Sequence, residues 1–83
     1  MFDLNRRTVT IGGQEIVLVE LSAGDWADLS LETDDHKQGL IMIQRSIESP
    51  KVEQDAVASW PRRITEELLN HIVDLNGLSD EGN

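Results

Sequence analysis

Residues 7–20 read Arg-Thr-Val-Thr-Ile-Gly-Gly-Gln-Glu-Ile-Val-Leu-Val-Glu. Two β-branched runs flank Gly12-Gly13, and adjacent glycines supply the positive φ values that a tight hairpin turn requires. The stretch predicts a β-hairpin. An isolated hairpin is barely stable in water, so Val9, Ile11, Ile16 and Leu18 need cover from later in the chain or from another subunit.

The sequence beyond the hairpin turns helical. Ser22-Ala23-Gly24-Asp25 reads as a capping box with Asp in place of Glu, and it opens a helix over about 23–31. Trp26 and Leu29 fall on one side of that helix, with Asp25, Asp28 and Glu32 toward the other. The polar run 32–35 forms a loop, with Asp34 or Asp35 available to cap a second helix over about 36–48 that Pro50 ends. A brief helix is expected over 52–60. The last helix starts near Pro61, a favourable first-turn residue, and repeats Ile64, Leu68, Ile72 and Leu75. Asn76-Gly77-Leu78 terminates it, with Gly77 left-handed and Leu78 folding back onto apolar surface. The expectation is one α+β domain over 1–78, an N-terminal β-hairpin packed against three or four short helices, followed by a frayed acidic tail at 79–83.

Length and composition agree. A chain of 83 residues leaves no room for a second core. It buries only about 60–65% of its unfolded surface, which makes association with a partner or with another copy a reasonable expectation. Hydrophobic residues at 39% and charged ones at 28% fit a globule better than a disordered tail. With no cysteine, disulfides, thiolate zinc sites and cysteine nucleophiles are excluded. Sixteen acidic against seven basic residues give a charge of −9 and a pI near 4.4. That balance disfavours binding to nucleic acid or to anionic lipid, and no apolar run approaches the roughly 18 residues of a spanning helix. The N-terminus lacks the basic-then-apolar order of a signal peptide.

No constellation carries chemistry. Glu67, His71 and Asp74 share a helical face, a spacing that a solvated polar face explains as well as a metal site does. An EF-hand register starting at Asp34 places Gly39 sixth but His36 third and Arg45 twelfth, which fails the ligand pattern. Gly12-Gly13 leads into a strand and not a helix, so it is no phosphate loop, and no Gly-x-Ser-x-Gly occurs. Asp28-Leu29-Ser30-Leu31 has the wrong order for the carrier serine of acyl carrier proteins. No catalytic residue, metal or cofactor is expected.

The informative excess is apolar. A helix packed against one core needs an arc of about 100°. On the last helix, Ile64, Leu75, Leu68 and Ile72 span roughly 80°, and Leu69 with Val73 widens the sector to roughly 180°. On the second, Leu40, Ile43 and Ile47 form a stripe from which Ile41 and Met42 diverge. These surplus residues either wrap into a small domain on two sides or dock another protein, with Met42 as an adaptable contact. Trp26 and Trp60 read as core anchors between helices, the alternative being an interface hot spot. Trp60 precedes Pro61 at a corner, which predicts partial exposure.

The order of features resembles the tail assembly chaperones of long-tailed bacteriophages: the hairpin, Leu21-Ser22-Ala23-Gly24-Asp25-Trp26 opening a helix, Arg45-Ser46-Ile47 before Pro50, Val57-Ala58-Ser59-Trp60-Pro61, and Leu68 to Leu75 running into Asn76-Gly77-Leu78. Trp60 departs from the pattern, which has an aliphatic residue before the proline. The resemblance implies a non-catalytic protein of the infected host's cytoplasm that binds the helical tape measure protein, keeps it soluble, self-associates and is absent from the mature virion. Ile41, Met42, Leu69 and Val73, with Trp60 at the rim, are the expected partner-binding residues. The competing readings are an acidic interaction module that mimics nucleic acid or inhibits its binder, and a minor structural or connector protein of the particle.

Overall fold

A computed structural model describes residues 1–78. Strands β1 (Arg6–Ile11) and β2 (Gln14–Val19) form the hairpin, with Ile11 facing Gln14 across a two-residue turn. Gly12 and Gly13 take φ values of 60° and 79°, so both central positions of the turn are left-handed, as a twisted two-residue hairpin demands. Helices α1 (Ala23–Ser30), α2 (Asp35–Ser46), α3 (Gln54–Ala58) and α4 (Arg62–Leu75) follow. The α+β architecture and the hairpin stand as the sequence predicts, with four helices among the described residues. The frayed acidic tail expected at 79–83 lies outside the described residues.

Helix starts follow the capping chemistry. Ser22 Oγ accepts the Asp25 N–H at 3.1 Å while the Asp25 carboxylate accepts the Ser22 N–H at 3.0 Å, a complete capping box. At α2 the cap is Asp34, whose carboxylate accepts from His36 and Lys37. Pro61 occupies the N-cap position of α4. At the other end of α4 the Leu78 N–H reaches the Val73 carbonyl (2.9 Å) and the Gly77 N–H the Asp74 carbonyl (3.1 Å), with Gly77 at φ 70°. This Schellman termination is the one that Asn76-Gly77-Leu78 predicts. Leu78 nonetheless remains 50% exposed, so its side chain gains little from the fold-back.

One element departs from the sequence reading. The second helix does not reach residue 48. It stops at Ser46, and Ile47–Ser49 becomes β3, antiparallel to β2 on the side away from β1. Ser49 precedes Pro50, which biases it away from helical geometry, and β-branched Ile47 fits a strand. Leaving the helix places Ile47 opposite Leu18, both buried, and satisfies the edge of β2 that would otherwise stay open. A register shift at Val17/Leu18 accommodates Glu48. The third helix is likewise shorter than expected, five residues within 52–60.

The core is the inner face of the sheet against α2, α3 and α4: Val9, Ile11, Ile16, Leu18, Ile43, Ile47, Val57, Leu68 and Ile72 are all buried. The four hairpin residues thus obtain their cover within the chain. Trp26 is not a core anchor, being 37% exposed on α1. Trp60 is half-buried and packed against the core, in keeping with its place at the α3–α4 corner.

Two polar devices join the layers. Arg45 near the end of α2 pairs with both Asp25 (2.7 Å) and Asp28 (2.9 Å) of α1. The Gln38 carboxamide donates to the carbonyls of Leu29 (3.1 Å) and Glu32 (2.9 Å), tying the end of α1 and the loop after it to α2, with the Leu29 carbonyl also accepting from the Glu32 N–H (3.1 Å).

Candidate partner-binding cleft

The five residues singled out by the sequence do not gather in one depression. Ile41, Met42, Leu69 and Val73 are all half-buried, neither sealed in the interior nor fully exposed. Met42 and Leu69 pack on the margin of the core, as does Trp60. Met42 faces the shallow groove between α1 and α2, beside Trp26 and Leu29. Leu69 faces the cleft between α2 and α4, and Trp60 the corner beside the hairpin turn.

The largest of these depressions is the α2–α4 cleft, about 500 Å³ and open to solvent. Its apolar surface comes from Leu40 and Ile43 on α2 and Leu69 on α4, residues spaced to lie on the facing sides of the two helices. Ile43 is 1% exposed and forms the floor, while Leu40 and Leu69 are half-buried and form the walls. Gly39 widens the cleft. It sits inside α2, where glycine costs roughly 0.5–1 kcal/mol relative to alanine, yet a Cβ there would meet nothing within 4 Å. Gly39 is the residue that reading the sequence missed, and the signal was available as an interior helical glycine with no turn to justify it.

The rim is polar and of mixed sign. Asp35 and His36 stand at the start of α2, and across from them Arg62 holds Glu66 at 2.8 Å, one helical turn on. Thr65, also at the cleft, turns its hydroxyl to the Arg62 carbonyl at 3.0 Å. Such a surface has a greasy floor and charged borders but no convergent set of general acid, base and nucleophile. Among the described residues, no group of three or more His, Asp or Glu side chains is disposed to hold a metal ion. Asp74 of the Glu67, His71, Asp74 face pairs with Arg7 at 3.0 Å. No helix among the described residues is long and apolar enough to cross a membrane.

No family model matches this chain, and neither a curated protein nor a solved structure matches it.

Proposed function

We propose that the chain is a non-catalytic binding module whose α2–α4 cleft seats an amphipathic helical segment of another protein. In keeping with its sequence resemblance, that partner is the tape measure protein during phage tail assembly in the host cytoplasm. The observation carrying the reading is the cleft itself: two helices hold a half-exposed apolar trough open, at the cost of an unfavourable glycine. A helix laid in such a groove inserts its i, i+3/i+4 anchors between Leu40 and Leu69, and its flanking basic residues meet an acidic protein of charge −9. Sequestering the stripes of a long helical protein one segment at a time prevents their mutual aggregation. Nothing in this role requires chemistry.

The test is capture of the tape measure protein, co-expressed with the chain, at low and at high salt. Apolar docking predicts a complex that survives high salt. A complex that dissolves with added salt supports the acidic-mimic reading instead, because charge pairing at exposed surfaces is screened. Failure to capture it at either salt removes the proposal, and recovery of the chain from purified particles favours a structural component.

A further inference from the structure

A second depression lies between the hairpin and the α3–α4 corner. It holds about 290 Å³, with Ile11 and Ile16 from the hairpin, Trp60 and Ile64 from the corner and Arg63 among its lining residues. Ile11 and Ile16 are buried, whereas Trp60 and Ile64 are half-buried. The hairpin turn rests on α4 here: a Cβ on Gly12 would stand 3.7 Å from Ile64 Cδ1. The hollow is therefore built into the packing of turn against helix.

Its charge is opposite to that of the protein. The chain carries sixteen acidic residues, yet no Asp or Glu lines this hollow. Arg6, Arg7, Arg45 and Arg62 each have a carboxylate partner. Arg63 is exposed and forms no ion pair among the described residues. Gln14 and Trp60 add a carboxamide and an indole N–H, neither engaged in a hydrogen bond among the described residues. Exposed charges are screened beyond about 8 Å at physiological ionic strength, so the net charge of −9 does not cancel this local cation. The chemistry that fits is an apolar group with an anion attached.

Size narrows the occupant further. An apolar cavity of about 150 Å³ holds a benzene ring, so the hollow takes one large side chain and a few atoms more. A ligand that meets both the apolar walls and Arg63 must carry its apolar group and its anion on one residue. In an unmodified polypeptide only the last residue does so, through its α-carboxylate. We propose that the hollow captures the C-terminal residue of a partner chain, its aromatic or large aliphatic side chain against Trp60 and its carboxylate on the Arg63 guanidinium. A smaller hollow of about 60 Å³, lined by Ile47, Pro50 and Val52, adjoins the first at Gln14, Ile16 and Trp60. An extended chain sets alternate side chains on one face about 6.6 Å apart, so the residue two before the end, if small and aliphatic, reaches this second hollow.

NMR titration of the nitrogen-15-labelled full chain tests this without the tape measure protein, so its outcome is separate from that of the α2–α4 cleft. The probes are acetyl-Val-Gly-Phe as the free acid, the same peptide as its C-terminal amide, and acetyl-Val-Asp-Phe amide, whose carboxylate lies one residue earlier. The free acid is expected to shift the Trp60 indole N–H and the Gly12 amide, to leave the Trp26 indole unmoved, and to bind with a Kd of about 1 mM. Each amide should bind about tenfold more weakly or worse, lacking the charge-assisted contact at the chain end. Arg63→Gln, at an exposed position, should lower the acid to the affinity of its amide with an unchanged far-UV spectrum. No shift at Trp60 up to about 10 mM of the free acid overturns the proposal. So do equal affinities for the acid and its amide, or an Arg63→Gln variant that still separates them. Equal affinity for the acid and the Asp-containing amide overturns the assignment to a chain end.

Discussion

The carboxamide of Asn76 ties the two ends of the fold together. Its oxygen accepts the backbone N–H of Leu21 at 2.9 Å, 55 residues away in sequence, while its nitrogen donates to the Ile72 carbonyl at 2.8 Å. Leu21 is buried where the hairpin hands over to α1, and the Asn76 oxygen is the acceptor that its part-buried N–H uses. One side chain thus completes the end of α4 and fixes the start of α1 against it.

Asn76→Ala is therefore expected to destabilise the protein by about 1–3 kcal/mol, the cost of stranding a buried donor. Asn76→Asp keeps the acceptor for Leu21 but sets a carboxylate against the Ile72 carbonyl at the negative end of α4, so it too should destabilise, within the same range. Urea unfolding of the three proteins, compared at equal slope, measures the difference.

Ser46 makes the opposite prediction. It is fully buried at the end of α2, and its hydroxyl has no hydrogen-bond partner. Removing an unsatisfied hydroxyl while keeping the Cβ stabilises, so Ser46→Ala should gain about 1 kcal/mol and raise the melting temperature by several degrees. A loss of stability on calorimetry contradicts the hydrogen-bond account of this position.

Acid should loosen the α1–α2 contact. Burial pushes the Asp25 carboxyl upward, but the Ser22 N–H and the Arg45 guanidinium outweigh it and hold Asp25 below its ordinary value of 3.8. Glu48 is held below 4.5 by the hydrogen bond from Arg6, against a smaller opposing effect of burial. Because both folded-state values are depressed, their stabilisation is complete at neutral pH, starts to fade near the ordinary values and is lost as pH falls through the depressed ones. The gap in urea midpoint between wild type and Asp25→Asn should be clear at pH 7 and should shrink toward pH 3. A gap that is constant with pH would mean that ionised Asp25 is not what holds the two helices.

Interior glycine in α2 gives a further expectation. Gly39→Ala should stabilise by roughly 0.5–1 kcal/mol, since the added Cβ meets open space and the helix gains propensity. Thermal unfolding checks the sign.

Much of the fold is legible from local rules, because caps, turns and apolar spacing act within a few residues. Gly12-Gly13, Ser22 with Asp25, and Asn76-Gly77 each mark their elements for that reason. What escapes is non-local. Ile47 continues the stripe of Leu40 and Ile43, so helical spacing claims it, but contact with Leu18, 29 residues earlier, takes it into β3. Trp26 reads as an anchor by its size, yet the eight-residue α1 lies at the periphery and leaves it exposed. At the cleft, Leu69 was visible as surplus apolar surface. Gly39 stands out in the sequence only as an interior helical glycine, because its meaning for the cleft depends on the helix that stands opposite.

The central claim is that the α2–α4 cleft holds a partner's helix. Gly39→Leu tests it most directly: the branch projects into the trough from a position with room for a Cβ, so the fold survives while the seat is filled. Isothermal titration of the purified variant and of the wild type with the tape measure protein should show affinity reduced about tenfold or more in a variant at least as stable as its parent. Equal affinities for the two, with both folded, would contradict the account.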